Sequence, residues 1–134
     1  MSNTDEAVRW FRQAEHDLAT ARATTVAGSY DWACFQAQQG AEKALKALLY
    51  GKGYRKILTH SVYELLIETK QAGYDLGDLH TGGKRLDQVY ISARYPNGIL
   101  GTLIPGEYYG KEDAEECLRS AGSILDAVRH YIRN

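Results

Sequence analysis

Apolar residues recur along this chain at spacings of three and four in five separate segments, and glycines stand between those segments. That period is the signature of helices that bury one face. Ala7, Phe11, Ala14, Leu18 and Ala21 form the first seam and predict a helix from about Thr4 to Val26. Asn3 or Thr4 is its expected cap, with Asp5 and Glu6 in the first turn. Gly28 and Ser29 interrupt the pattern. From Tyr30 to Tyr50, Ala33, Ala37, Gly40, Ala44 and Leu48 share one stripe, widened by Cys34, Ala41, Leu45 and Leu49. Small residues let neighbouring helices approach closely. A glycine inside a helix costs about 1 kcal/mol against alanine, so Gly40 points to a tight crossing. This segment is the expected central helix, ended by Gly51 and Gly53.

Three further segments follow. Ser61 and Glu64 have the spacing of a capping box, and Val62, Leu65 and Leu66 give a third helix that fades near Gly73. Leu86, Val89, Tyr90 and Ala93 predict a fourth helix from about Gly83 to Arg94, closed by Pro96. Residues 97–110 hold four glycines and a proline and read as a long loop. The last helix, from about Lys111 to Ile132, carries Ala114, Cys117, Ala121, Ile124, Val128 and Tyr131 inward. Acids at its start and Arg129, His130 and Arg133 at its end suit the helix dipole. The expected architecture is all-α: one domain over 1–134, an up-and-down bundle of four to five helices, with no strand. The first, second and last helices should form its core.

Composition narrows the function classes. A net charge of −1 gives no global basic field for nucleic acid, although Lys43, Lys46, Lys52, Arg55 and Lys56 crowd one region. Such a patch either attracts phosphate or is a solvated face. Glu112, Asp113, Glu115 and Glu116 form an acidic cluster. The two cysteines, Cys34 and Cys117, lie on apolar stripes, so buried free thiols are expected, not a disulfide or a zinc site. No metal or cofactor is expected. No run is apolar enough for a membrane span, and a cytoplasmic location is the expectation. Gly51-Lys52-Gly53 lacks the strand and spacing of a phosphate-binding loop.

Five pieces in order, WFRQAEHDLATA, YDWACFQAQQGAEKALKALL, THSVYELL, ISARYP and YYGKEDAEECLRSA, span nearly the whole chain. Together they resemble the HEPN family, the higher eukaryotes and prokaryotes nucleotide-binding domain. The resemblance implies a helical bundle that is usually a homodimer. It also implies a gene neighbour encoding a minimal nucleotidyltransferase, often in a toxin–antitoxin pair. The family's ribonuclease branch uses an arginine followed a few residues later by a histidine, near the fourth helix and across the dimer. Here Arg94 occupies that region with no histidine behind it. Arg55 to His60 and Arg9 to His16 match the spacing only formally, before the third helix and in the first.

The expected activity is therefore that of a binding module for nucleotide, RNA or a partner protein near Arg94. A metal-independent ribonuclease toxin and a pure protein-interaction module are the alternatives. Arg94 either holds a phosphate and stacks on a base or clamps the last turn of its own helix. Tyr95 is a stacking platform or a rim tyrosine. Glu42 and Lys46, spaced i,i+4, make either a polar site in the bundle or, as the favoured reading, a surface ion pair. Asp17 either joins Lys46 or Arg94 in a buried cluster or lies on a solvated face. His60 closes a site with the basic loop or, preferentially, caps the third helix with Thr59 and Ser61. Trp10, Trp32 and Phe35 are expected in the core or a dimer contact. Leu103, Ile104, Tyr108 and Tyr109 would be an exposed apolar cluster, which points to a homodimer.

Overall fold

A computed structural model describes residues 1–132; Arg133, and with it part of the expected basic C-terminus, lies outside them. The described residues form six α-helices and one short 3-10 turn, in the order α1 (Asn3–Ala27), α2 (Tyr30–Gly51), α3 (Val62–Gln71), α4 (His80–Ser92), the turn Pro96–Gly98, α5 (Pro105–Tyr108) and α6 (Lys111–Arg129). The all-α bundle read from the seams is the fold observed, with no strand among the described residues.

Helix α2 packs against all five other helices, so it is the axis of the molecule. Helix α1 runs antiparallel to it. Gly28, at φ 87, ends α1 in the left-handed conformation and turns the chain back within two residues. A methyl group at Gly40 would sit 3.2 Å from the Ala14 carbonyl oxygen and 3.5 Å from the Leu18 nitrogen, and at Gly51 it would meet Ala7. The small-residue stripe thus brings the two backbones together, as the glycine inside the helix predicts. Helix α6 covers α1 and α2 from another side, and α3 and α4 pack on α2 and on each other. Ala14, Ala33, Ala37, Leu45, Leu49, Leu65, Leu86, Ala121 and Ile124 are completely buried between these layers.

Cys34 and Cys117 are buried free thiols. The neighbouring Cys117 thiol, reinforced by burial, holds the Cys34 thiol far above its ordinary range. Such thiols are poor nucleophiles.

Several boundaries differ from the pattern, each for a local reason. Ser2, not Asn3 or Thr4, caps α1: its Oγ accepts from the Asp5 nitrogen at 3.1 Å, and the Asp5 carboxylate accepts from the Ser2 nitrogen at 3.2 Å. Helix α4 begins at His80, three residues before Gly83. Gly82 and Gly83 lie inside it because side chains there would strike Ser120 of α6 and Leu66 of α3. The long loop folds back on itself through the turn and α5, which Glu107 caps by accepting from the Ile104 nitrogen at 3.2 Å. Tyr131 lies past the end of α6 and meets Tyr74 edge to face at 4.9 Å. No helix among the described residues is long and apolar enough to cross a membrane.

Candidate functional site

Phe35, Gln38, Glu42 and Lys46 recur on α2 at spacings of three and four and form one stripe, facing the start of α3 and the last turn of α4. Glu42 is its hub. Its Oε2 accepts from Lys46 Nζ at 2.9 Å and lies 3.1 Å from His60 Nδ1, while its Oε1 accepts from Gln38 Nε2 at 3.2 Å. Gln38 Nε2 also donates to the His60 carbonyl at 3.0 Å. The surface ion pair expected of Glu42 and Lys46 is overturned, for the two residues are only 4 % and 5 % exposed. Burial of such a pair is tolerable because Gln38 and His60 add further polar contacts to the carboxylate.

His60 does not cap α3. Ser61 does, accepting from the Glu64 nitrogen at 3.0 Å, and the Thr59 hydroxyl accepts from the Ser61 nitrogen. A carboxylate from α4 completes the cap. Asp87 accepts from the Ser61 hydroxyl and the Val62 nitrogen, both at 2.6 Å, and from the Tyr63 nitrogen at 3.3 Å. An acid is well placed against the positive end of α3. This clamp fixes the residue before Ser61, so the His60 ring lies flat on Tyr90 of α4, with centroids 5.2 Å apart and planes inclined by 15°.

Tyr90 also supports Arg94. The guanidinium lies 4.7 Å from the Tyr90 centroid, 4.3 Å from that of Phe35 and 5.1 Å from that of Tyr95. Its Nε donates to the Tyr90 carbonyl at 2.8 Å, closing the last turn of α4. The clamp on the helix end is therefore real, and it spends only Nε. The two terminal nitrogens have no hydrogen-bond partner among the described residues. Tyr95 is half exposed, and the His60 side chain is 56 % exposed. Lys46, Glu42, His60, Tyr90, Arg94 and Tyr95 thus form one continuous arrangement, with charge and hydrogen-bond donors at one end and a guanidinium on aromatic faces at the other.

Asp17 is not part of it. It accepts from Lys43 Nζ at 2.6 Å and from Gln13 Nε2 at 2.8 Å, on the α1 side of α2. The expected basic patch is likewise dispersed: Lys46 is buried, Lys52 lies over Tyr74 and Arg55 bonds Asn3. Of the loop cluster, Leu103, Ile104 and Tyr108 are about half exposed as expected. Tyr109 instead turns inward and shares a hydrogen bond with Ser92. Burial raises its phenol above the ordinary value, which the Ser92 bond partly offsets. Trp10 meets Tyr50 with the rings tilted and 4.8 Å apart, and Trp32 is half exposed beside Phe35.

Sequence reasoning misses Gln38, Tyr90 and Asp87 as site residues. Gln38 is discoverable from its place on the Phe35–Lys46 stripe. Asp87 is not, since it meets Ser61 across 26 residues with no local signal. No group of three or more metal-binding side chains occurs among the described residues.

Comparison with known proteins bears on this arrangement. The chain is 31 % identical to the candidate toxin MJ1304 of Methanocaldococcus jannaschii, over 98 % of this chain and 91 % of that protein. The solved structure of TT1696 from Thermus thermophilus superposes with a TM-score of 0.87 at 36 % identity, covering 93 % of this chain and 97 % of that one. ST0689, an archaeal HEPN homologue, gives 0.77 at 38 % identity, over 96 % and 98 % of the two chains. The HEPN domain protein TM0613 of Thermotoga maritima gives 0.71 at 27 %, over 92 % and 96 %. The family model of the HEPN domain matches residues 7–131, nearly all of α1 through α6, and the chain belongs to the HEPN family.

Proposed function

We propose that this chain is a dimeric HEPN binding module that engages a nucleotide or RNA at the Arg94 face. It would act as one half of a two-component, toxin–antitoxin-like pair with a minimal nucleotidyltransferase. The observation that carries the reading is the state of Arg94. Three aromatic rings and one backbone carbonyl hold its guanidinium in place, yet both terminal nitrogens are free to donate. A preorganised planar fork suits a phosphate, and the neighbouring Tyr95 ring suits a base. The relative named as a candidate toxin supports the two-component setting.

Titration with labelled oligoribonucleotide and with ATP, alongside thermal melts, tests the reading. Arg94→Ala should weaken binding by about 1–3 kcal/mol, the range of a charge-assisted hydrogen bond. Arg94→Lys should recover little of that loss, because lysine keeps the charge without the fork. A large fall in melting temperature with unchanged binding would reduce Arg94 to a helix clamp.

A ribonuclease reading has one observation in its favour. His60 reaches the Arg94 face from outside the fourth helix, stacked on the ring that supports the guanidinium and oriented by Glu42. A histidine there supplies the imidazole that is missing a few residues after Arg94. Cleavage of RNA by the purified protein, abolished in His60→Ala, would establish this activity. Intact RNA after prolonged incubation would remove it.

A further inference from the structure

A second basic surface lies beside the first, on the other flank of α2. Arg9, Arg12, Gln13 and His16 recur along the exposed side of α1, and with Trp10 and Lys43 they line a groove of about 580 Å³. Two of the cations are already engaged: Arg9 with Glu6 at 2.6 Å and Lys43 with Asp17 at 2.6 Å. Arg12 and His16 have no partner among the described residues, so the groove presents free donors beside the Trp10 ring. Cationic side chains interleaved with an aromatic face suit a single-stranded phosphate backbone.

The groove and the Arg94 face flank the same helix. Gln13 bonds Asp17, and Asp17 bonds Lys43. One turn back on α2 from Lys43, Gln39 donates to Gln38 Oε1 at 2.8 Å, and Gln38 bonds both Glu42 and the His60 carbonyl. Polar side chains therefore meet α2 on both flanks, Lys43 with α1 and Gln38 with the segment before α3. The two surfaces lie on different flanks of α2, and a helix with its side chains is about 10–12 Å across, wider than one nucleotide spans.

Resting on the nucleotide or RNA reading of the Arg94 face, we infer that the α1 groove is a second, non-catalytic subsite. It holds the phosphodiester backbone of a single-stranded oligoribonucleotide whose other end lies at Arg94. The ligand class is thus an extended RNA strand and not a mononucleotide.

Fluorescence titration with uridine monophosphate and with labelled oligouridylate of about twelve nucleotides separates the possibilities, the length being within the usual site size of such surfaces. The oligomer should bind at least about tenfold more tightly than the mononucleotide, because the second contact is made at high effective concentration. Arg12→Glu should weaken the oligomer about tenfold and lower the salt dependence by about one charge. It should leave the mononucleotide affinity unchanged. Arg12 is exposed, and a thermal melt confirms that the variant folds. Equal affinity for oligomer and mononucleotide, or an oligomer affinity indifferent to Arg12→Glu, overturns the inference while the Arg94 reading stands. An oligomer that depends on Arg12 but not on Arg94 removes the Arg94 reading and, with it, the inference of one strand spanning both surfaces. Displacement by polyglutamate as readily as by unlabelled RNA makes the groove a general polyanion site and overturns the RNA assignment. Absence of binding to either probe overturns both.

Discussion

One tyrosine ring joins the two halves of the candidate site, with the His60 imidazole and the Arg94 guanidinium both resting on Tyr90. What fixes that geometry is a residue that touches neither, Asp87. Removing its carboxylate in Asp87→Ala leaves the Val62 and Tyr63 nitrogens unpaired at the start of α3. The expected loss is about 1–3 kcal/mol in denaturant unfolding, with a smaller loss for Asp87→Asn, which keeps one acceptor. The His60 ring protons should shift toward solvent-exposed values in NMR spectra of the same variant. Stability unchanged within about 0.5 kcal/mol would show that Asp87 is dispensable to the cap. Legibility in the sequence stopped at the same boundary. Spacing alone pairs Glu42 with Lys46, because i,i+4 is local. It is silent on whether another element covers the pair, and here the start of α3 does. Arg94 stood out through its neighbours Tyr95 and Pro96. The rings of Phe35 and Tyr90 that hold it come from another helix and an earlier turn, and only folding brings them together.

Helices were the most legible level, because a buried face imposes its period on every turn. The seams located all five long helices, and they failed where glycine has a second use. In α4, the seam starts the helix only at about Gly83, yet Gly82 and Gly83 lie inside it and permit close contact with Ser120 and Leu66. Glycines in helix interiors therefore divide into two kinds, and substitution tells them apart. Gly122 of α6 has open space where a methyl group would go. Gly122→Ala should raise stability by about 0.5–1 kcal/mol through helix propensity. Gly40→Ala gains the same propensity but pushes against the backbone of α1, which cannot rotate away as a side chain can. A net loss of about 1 kcal/mol or more is expected. Chemical denaturation of both variants checks the contrast, and two stabilised proteins would contradict the tight α1–α2 crossing.

For the whole molecule, the exposed apolar side chains are unevenly placed. Trp32, Ile91, Leu100, Leu103, Ile104 and Tyr108 are all between about half and fully exposed, and they come from the start of α2, the end of α4 and the segment that follows it. A second copy of the chain is the expected cover, in keeping with the homodimer proposed above. Light scattering at micromolar concentration should give twice the 15.0 kDa chain mass. Leu103→Glu with Ile104→Glu should return the monomer, while a wild-type monomer would end the proposal. The arrangement of α2 reaches further than either surface. The helix that contacts every other helix is also the one that carries Phe35, Gln38, Glu42 and Lys46, so the floor of the site has no hinge of its own. Its side chains are ordered when the chain folds, and a ligand arriving there meets a rigid template whose conformational entropy has already been lost. The recognition proposed for this face would be lock-and-key in character, its vocabulary set by residues on the rim, at the end of α4 and in the loop beyond it.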